Sequence, residues 1–270
     1  MTIDLDSDDA DAKIVRIIES DPVLGARLIA AANSAAFGVP GNRFFTLKAA
    51  VRRIGLRRSV QLALALLFGN AVNRRLSASL NEALWLHALT VASAAQEIAR
   101  LKRLPEPGSA YFVGLMHDLG YMAMEFMRPG SLTEIGALMK HENIDWEQAE
   151  IRIFGAHHQL VAGTLLTQWA VPAELVDPIR RHHDLDLDAD SIPAILLGAE
   201  KMACCEDIVE ILYAGLEHPL RSTALGRGGV EFFFDQQLEM NHDAVDRLIQ
   251  RITEQVVGLR EASQAMGAPH

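Results

Sequence analysis

Gly114-Leu-Met-His117-Asp118-Leu-Gly120 sets an imidazole and a carboxylate side by side inside an apolar stretch of helical period. Neighbouring residues on a helix point about 100° apart and do not share a partner along one face. A metal ion can use both, because the two side chains reach round a common corner. Further imidazoles flank the doublet in sequence: His87 on the preceding helical segment, His158 after it, and the pair His182-His183 at the end of another. Imidazoles and a carboxylate carried on separate helices of a bundle are the donors that a borderline divalent ion needs. Any one of these histidines alone reads as an ordinary core or surface residue; their combination carries the signal. His141, His157, His218, His242 and His270 have no such context.

Working outward, the apolar periodicity is helical almost throughout. Asp21-Pro22 marks a helix start whose face is Leu24, Leu28, Ile29 and Ala32. Thr46 is placed to cap a short helix that stops at Gly55, and a longer one continues through Val60, Leu62, Leu64 and Leu67. Ser131 with Glu134, and Asp145 with Gln148, read as capping boxes. Asn241 with Asp243 opens a last helix striped by Ala244, Leu248, Ile252 and Val256. Breaks are expected at Gly38–Asn42, Pro105–Gly108, Pro129-Gly130, Asp184–Asp190 and Gly226–Gly229, and Phe232–Phe234 reads as a loop anchor rather than a strand. The expectation is an all-α, two-lobed helical bundle, with an N-terminal lobe over residues 1–80 and a second lobe over 81–262.

The chain has 270 residues, of which 50% are hydrophobic, enough for a sizeable core. A net charge of -10 argues against a surface that coats nucleic acid, since neutralising phosphates supplies most of that affinity. Residues Ala49–Leu67 imitate a DNA-reading helix-turn-helix, with Arg52, Arg53, Arg57 and Arg58 clustered about the glycine. The second helix is too apolar to lie in a groove, because Leu62, Leu64, Leu66 and Leu67 cover several of its faces. The arginines therefore read as an exposed turn suited to an acidic partner or a phosphate, and DNA is disfavoured. Adjacent Cys204 and Cys205 cannot staple a fold and suit a reducing compartment. The acidic N-terminus is no signal peptide, and the apolar run Leu62–Phe68 is too short to span a bilayer. A soluble, cytoplasmic protein without membrane partners is expected.

Several motifs recur in a known order: Asp21-Pro-Val-Leu-Gly-Ala-Arg-Leu28, Asn33-Ser34, Arg53-Ile-Gly55-Leu and Trp85-Leu-His87. After the His117-Asp118 segment come Glu150, Phe154-Gly155, His158, Leu165-Leu-Thr-Gln-Trp169, Pro172 and His182-His183. Over residues 10–205 the chain resembles the HD superfamily of metal-dependent phosphohydrolases, and most closely its HDOD (HD-related output domain) branch of bacterial signalling proteins. The resemblance implies that His87, His117, Asp118, His158, His182 and His183 stand where HD-type metal ligands stand. It puts Glu200 about where the superfamily's final aspartate lies, and Ala162 where a glycine is usual. The implied cofactor is a divalent metal: iron, manganese, zinc or magnesium. In the hydrolytic branch a lysine follows the doublet and a Gly-Tyr-Pro segment follows the histidine pair. Here those places hold Tyr121 and Asp184-Leu-Asp-Leu-Asp188, which removes a cation that would stabilise charge in phosphoryl transfer. The resemblance thus implies a regulatory module that binds a signalling protein or a nucleotide and does not hydrolyse cyclic di-GMP. The alternative is a phosphohydrolase acting on a nucleotide or phosphate ester, with His117 and Asp118 as its catalytic pair.

Overall fold

A computed structural model describes residues 10–19, 24, 28–29, 31–32, 44–56, 58–60, 62–63, 78–105, 107–169, 171–184, 187–213 and 224–267. Among these residues the secondary structure is helical, apart from one isolated parallel bridge between Cys205 and Leu225. The chain divides into two compact units, Met1–Ala71 with Glu254–His270, and Val72–Thr253. No described helix is long and apolar enough to cross a membrane.

In the first unit, α1 (Ala10–Glu19) packs on α2 (Leu47–Ile54). Ile14, Ile18, Leu47, Ala50, Val51 and Ile54 are buried, the last four being the i, i+3, i+4, i+7 face of α2. Thr46 caps α2 as its position predicts, its hydroxyl accepting the Ala49 N–H at 3.2 Å. Gly55 ends it at φ +92°, a conformation that a side chain would strain. Leu24, Leu28, Ala32 and Leu62 are buried and Ile29 is half-buried, whereas Asp21-Pro22, Gly38–Asn42, Leu64 and Leu67 lie outside the described residues. Arg52 and Arg53 are exposed and Arg58 is half-buried; Arg57 is not among the described residues.

The second unit is built on α3 (Ala78–Leu101), which is buried almost continuously from Ala83 to Ala99. Its small side chains, among them Ala88, Ala92, Ala95 and Ala99, let neighbouring helices come close. Against it lie α4 (Pro107–Met116), α10 (Ile192–Ala203) and α11 (Glu206–Leu212). α5 (Leu119–Met127) packs on α6 (Ser131–Glu142) and α8 (His158–Gln168), and α8 packs on α9 (Ala173–Arg180). α7 (Trp146–Phe154) lies along α6, and α12 (Arg227–Leu238) along α10. α13 (His242–Gly267) is capped by Asn241, whose side chain accepts the Ala244 N–H at 2.9 Å. Leu248, Ile252 and Val256 are buried as expected, but the stripe begins at Val245, and Ala244 is only half-buried.

Asp145 caps α7 through the Gln148 N–H at 2.8 Å. The expected Ser131–Glu134 box does not form. Ser131 lies inside α6, and buried Glu125 caps it instead, accepting from Gly130 N at 2.5 Å and from Ser131 Oγ and Leu132 N at 3.1 Å each. Glu134 turns outward to Arg128 at 2.7 Å. A tertiary carboxylate outcompetes the local serine because it satisfies three donors at once. Two further expectations fail together. Phe232–Phe234 is helical, and the break at Gly226–Gly229 narrows to the N-cap Gly226, because Gly228 and Gly229 sit in the first turn of α12. Of the three phenylalanines only Phe234 is buried.

Candidate metal centre

The His117-Asp118 doublet is not inside a helix. It forms a two-residue turn between the last residue of α4, Met116, and the first of α5, Leu119. That corrects the helical reading and removes its difficulty, since the break lets adjacent side chains face one point. Two glycines bracket the turn. A Cβ at Gly114 would come within 2.7 Å of Ala92 Cα, and one at Gly120 within 2.0 Å of the His158 carbonyl oxygen. Only glycine permits these approaches, which set α4 on α3 and α5 against the start of α8.

His87 comes from α3, His158 from the first turn of α8, His182 and His183 from the turn after α9, and Glu200 from α10. All seven side chains face one volume. Asp118 Oδ2 lies 3.4 Å from His87 Nε2 and 3.2 Å from His117 Nε2, while Oδ1 lies 3.7 Å from His158 Nε2. Glu200 Oε1 lies 3.1 Å from His117 Nε2 and 3.5 Å from His182 Nε2, and Oε2 lies 3.6 Å from His183 Nδ1. His158 Nε2 stands 3.2 Å from His182 Nε2 and 3.3 Å from His183 Nε2. Among the described residues, three donor groups could each hold a metal ion: His87 with His117 and Asp118, His158 with His182 and His183, and Asp118 with His182 and Glu200.

The outer nitrogens are tied down. Nδ1 of His117 meets the Gly114 carbonyl at 2.7 Å, and Nδ1 of His182 meets that of Ile179 at 2.6 Å. A carbonyl only accepts, so a ring proton sits on Nδ1 of each, and Nε2 is the atom left facing inward. Glu150, wholly buried, bonds His158 Nδ1 at 2.8 Å and accepts the His158 backbone N–H at 2.9 Å. Tyr213 bonds His87 Nδ1 at 3.3 Å. Tyr121 stacks on the His158 ring at 4.1 Å and 23°, and Trp146 meets Tyr121 edge-on.

The donor set fits a cation. His117 Nε2 is fully buried beside two carboxylates, yet neither contact has hydrogen-bond geometry. Burial by itself would lower His117, but Asp118 and Glu200 overcome it and hold the imidazole up at about 10. Burial pushes His182 down to about 3, against the opposing pull of Glu200. Burial would raise both carboxyl groups, but the imidazoles hold Asp118 and Glu200 well below the usual carboxylate range. Negative carboxylates and inward-facing imidazole nitrogens are what a divalent ion takes, and binding would displace the extra proton of His117.

Residues 5–185 match the HDOD domain. The chain belongs to the HDOD family. An uncharacterized protein of Treponema pallidum (strain Nichols) is 27% identical over 181 residues, or 64% of this chain and 33% of the relative. The HDOD chain thus spans about a third of the length of that curated relative. Among solved structures, an HDOD domain protein of Geobacter sulfurreducens superposes with a TM-score of 0.63 at 23% identity, over 90% of this chain and 88% of the other. A phosphohydrolase candidate of Shewanella amazonensis gives 0.65 at 17% identity, over 94% and 92%. At these identities the likeness speaks to the fold, which is the helical one expected.

Three residues around the cluster were not singled out as site residues by sequence: Glu150, Tyr213 and, in its stacking role, Tyr121. Glu150 carries a local signal, a carboxylate eight residues before His158 across the Gly155 turn. Tyr213 carries none. It lies beyond the HDOD match, as does Glu200.

Proposed function

We propose that this HDOD protein is a regulatory module whose second unit holds divalent metal and acts through a signalling protein or a nucleotide. The convergence of seven donors carries the metal reading. Two imidazole sets, His87 with His117 and His158 with His182 and His183, face each other across two carboxylates: Asp118 offers one oxygen to each set, and Glu200 lies near His117 and His182 with Oε1 and near His183 with Oε2. One ion of this class holds about four to six donors, so the arrangement suits a pair sharing the two carboxylates. Iron, manganese and zinc match the imidazole-rich set better than magnesium, which prefers oxygen donors. The metal would supply a Lewis acid and a bound water there.

One observation favours the hydrolytic reading. The His183 side chain is 35% exposed, so the cluster has a rim that a phosphate ester could reach. Against it, Tyr121 stands where the resemblance would put a lysine, and it lies flat on His158. Metal analysis after reconstitution with manganese, iron or zinc tests the metal reading: about two ions per chain are expected, fewer in His117→Ala, and none in Asp118→Ala, whose carboxylate faces both imidazole sets. Wild-type protein that retains no ion sinks it. Cyclic di-GMP turnover above the metal-only blank, lost in His117→Ala, would establish the hydrolytic alternative instead.

A further inference from the structure

Four imidazoles of the cluster have an outer nitrogen held by a named partner, and one of the partners differs in kind. His117 and His182 meet backbone carbonyls, and His158 meets the Glu150 carboxylate. Each of these accepts and cannot donate, so each keeps a proton on Nδ1 and leaves Nε2 as the atom free to serve as a ligand. His87 alone among the four meets a hydroxyl, that of Tyr213, at 3.3 Å. A hydroxyl both donates and accepts, so His87 is the ring whose proton can sit on either nitrogen.

We infer that Tyr213 is a positioning residue of the metal centre, accepting the Nδ1 proton of His87 when Nε2 serves as a ligand. The inference rests on the metal reading above. Nε2 of His87 already points at Asp118 Oδ2, 3.4 Å away, which is the direction the lone pair must take. Its proton must then move to Nδ1, where Tyr213 is placed to receive it. Tyr213 itself is fixed from two sides. It closes α11 with its backbone N–H on Val209 O at 3.0 Å, and α11 packs on both α3, the helix of His87, and α10, the helix of Glu200. The start of α11 is anchored by Leu225 N on Cys204 O at 2.7 Å and Glu206 N on Leu225 O at 2.9 Å. Residues beyond the HDOD match therefore reach the cluster twice, once through Glu200 and once through Tyr213.

The test compares the wild-type 270-residue chain with Tyr213→Phe, which keeps the buried ring and deletes only the hydroxyl. Manganese or zinc is titrated against a competing chelator. The weaker binding step should lose roughly tenfold in affinity, as outer-shell changes at metal ligands do, while the tighter step is unchanged. His87→Ala should abolish that same step, which assigns it. Should Tyr213→Phe fold poorly, nitrogen-15 spectra of the zinc-loaded wild type decide the matter, with His87 expected to carry its proton on Nδ1. Equal affinities in the two proteins, or a His87 proton on Nε2 in the loaded state, overturn the role of Tyr213. A wild type that binds no metal overturns the underlying reading and the role of Tyr213 with it, and is recognised by the failure of both steps.

Discussion

Each clustered imidazole is wired by its neighbours, and pH reads that wiring out. In chelator-treated protein, His117 is held up at about 10 by Asp118 and Glu200, against an ordinary value of 6.5. A raised folded value stabilises fully below 6.5 and is lost as the pH climbs through 10. His182 is the opposite case, lowered to about 3 by burial. Its unfolded form binds more protons between pH 6.5 and 3, so stability falls as the pH drops across that window. Asp118 and Glu200, held low, add to the acid loss. Metal-free protein should therefore melt highest near pH 6.5 and lose stability on both sides. Calorimetry from pH 4 to 10 checks this, and His117→Ala should flatten the alkaline limb. An alkaline limb that is already flat in the wild type would show that His117 carries no extra proton.

At the scale of elements, the decisive contact is the one between α5 and α8. His158 opens α8 with its backbone N–H on Glu150 and its carbonyl pressed against Gly120 of α5. Gly120→Ala would put a methyl group 2.0 Å from that carbonyl, and neither backbone can yield without moving His158 from Asp118. The expected cost is about 3 kcal/mol, the upper end for inserting an atom into a packed core. Urea unfolding measures it, and metal retention should drop in the same variant. An unchanged midpoint together with full metal content would mean that the two helices slide past each other freely.

Over the whole molecule, the cluster gathers side chains from α3, α8, α10 and the turns after α4 and α9, so the ions bound there would tie five places together. A ligand that binds only the folded form stabilises by mass action, about 2.7 kcal/mol per site at a hundredfold excess over its dissociation constant. Thermal unfolding with and without manganese or zinc should show that gain, reversed by chelator. It should appear in the transition of the Val72–Thr253 unit, which contains all seven donors. A shift confined to the Met1–Ala71 and Glu254–His270 unit would place the ion elsewhere.

The sequence by itself determined the helical class, the Thr46 and Asp145 caps, the Gly55 stop and the residue types of the cluster. Those signals are local: a cap acts within three residues, an apolar stripe repeats within four, and a His-Asp doublet is its own neighbour. What only the tertiary structure decided is which distant groups meet. Glu125 displaced the Ser131 cap, and the doublet fell at a helix break. Glu150 and Tyr213 took the outer nitrogens of His158 and His87. These choices depend on how closely helices approach, which Gly114, Gly120 and the alanines of α3 permit. A hydrogen bond spanning the 126 positions from His87 to Tyr213 leaves no periodicity behind, because crossing helices, not chain spacing, bring its ends together.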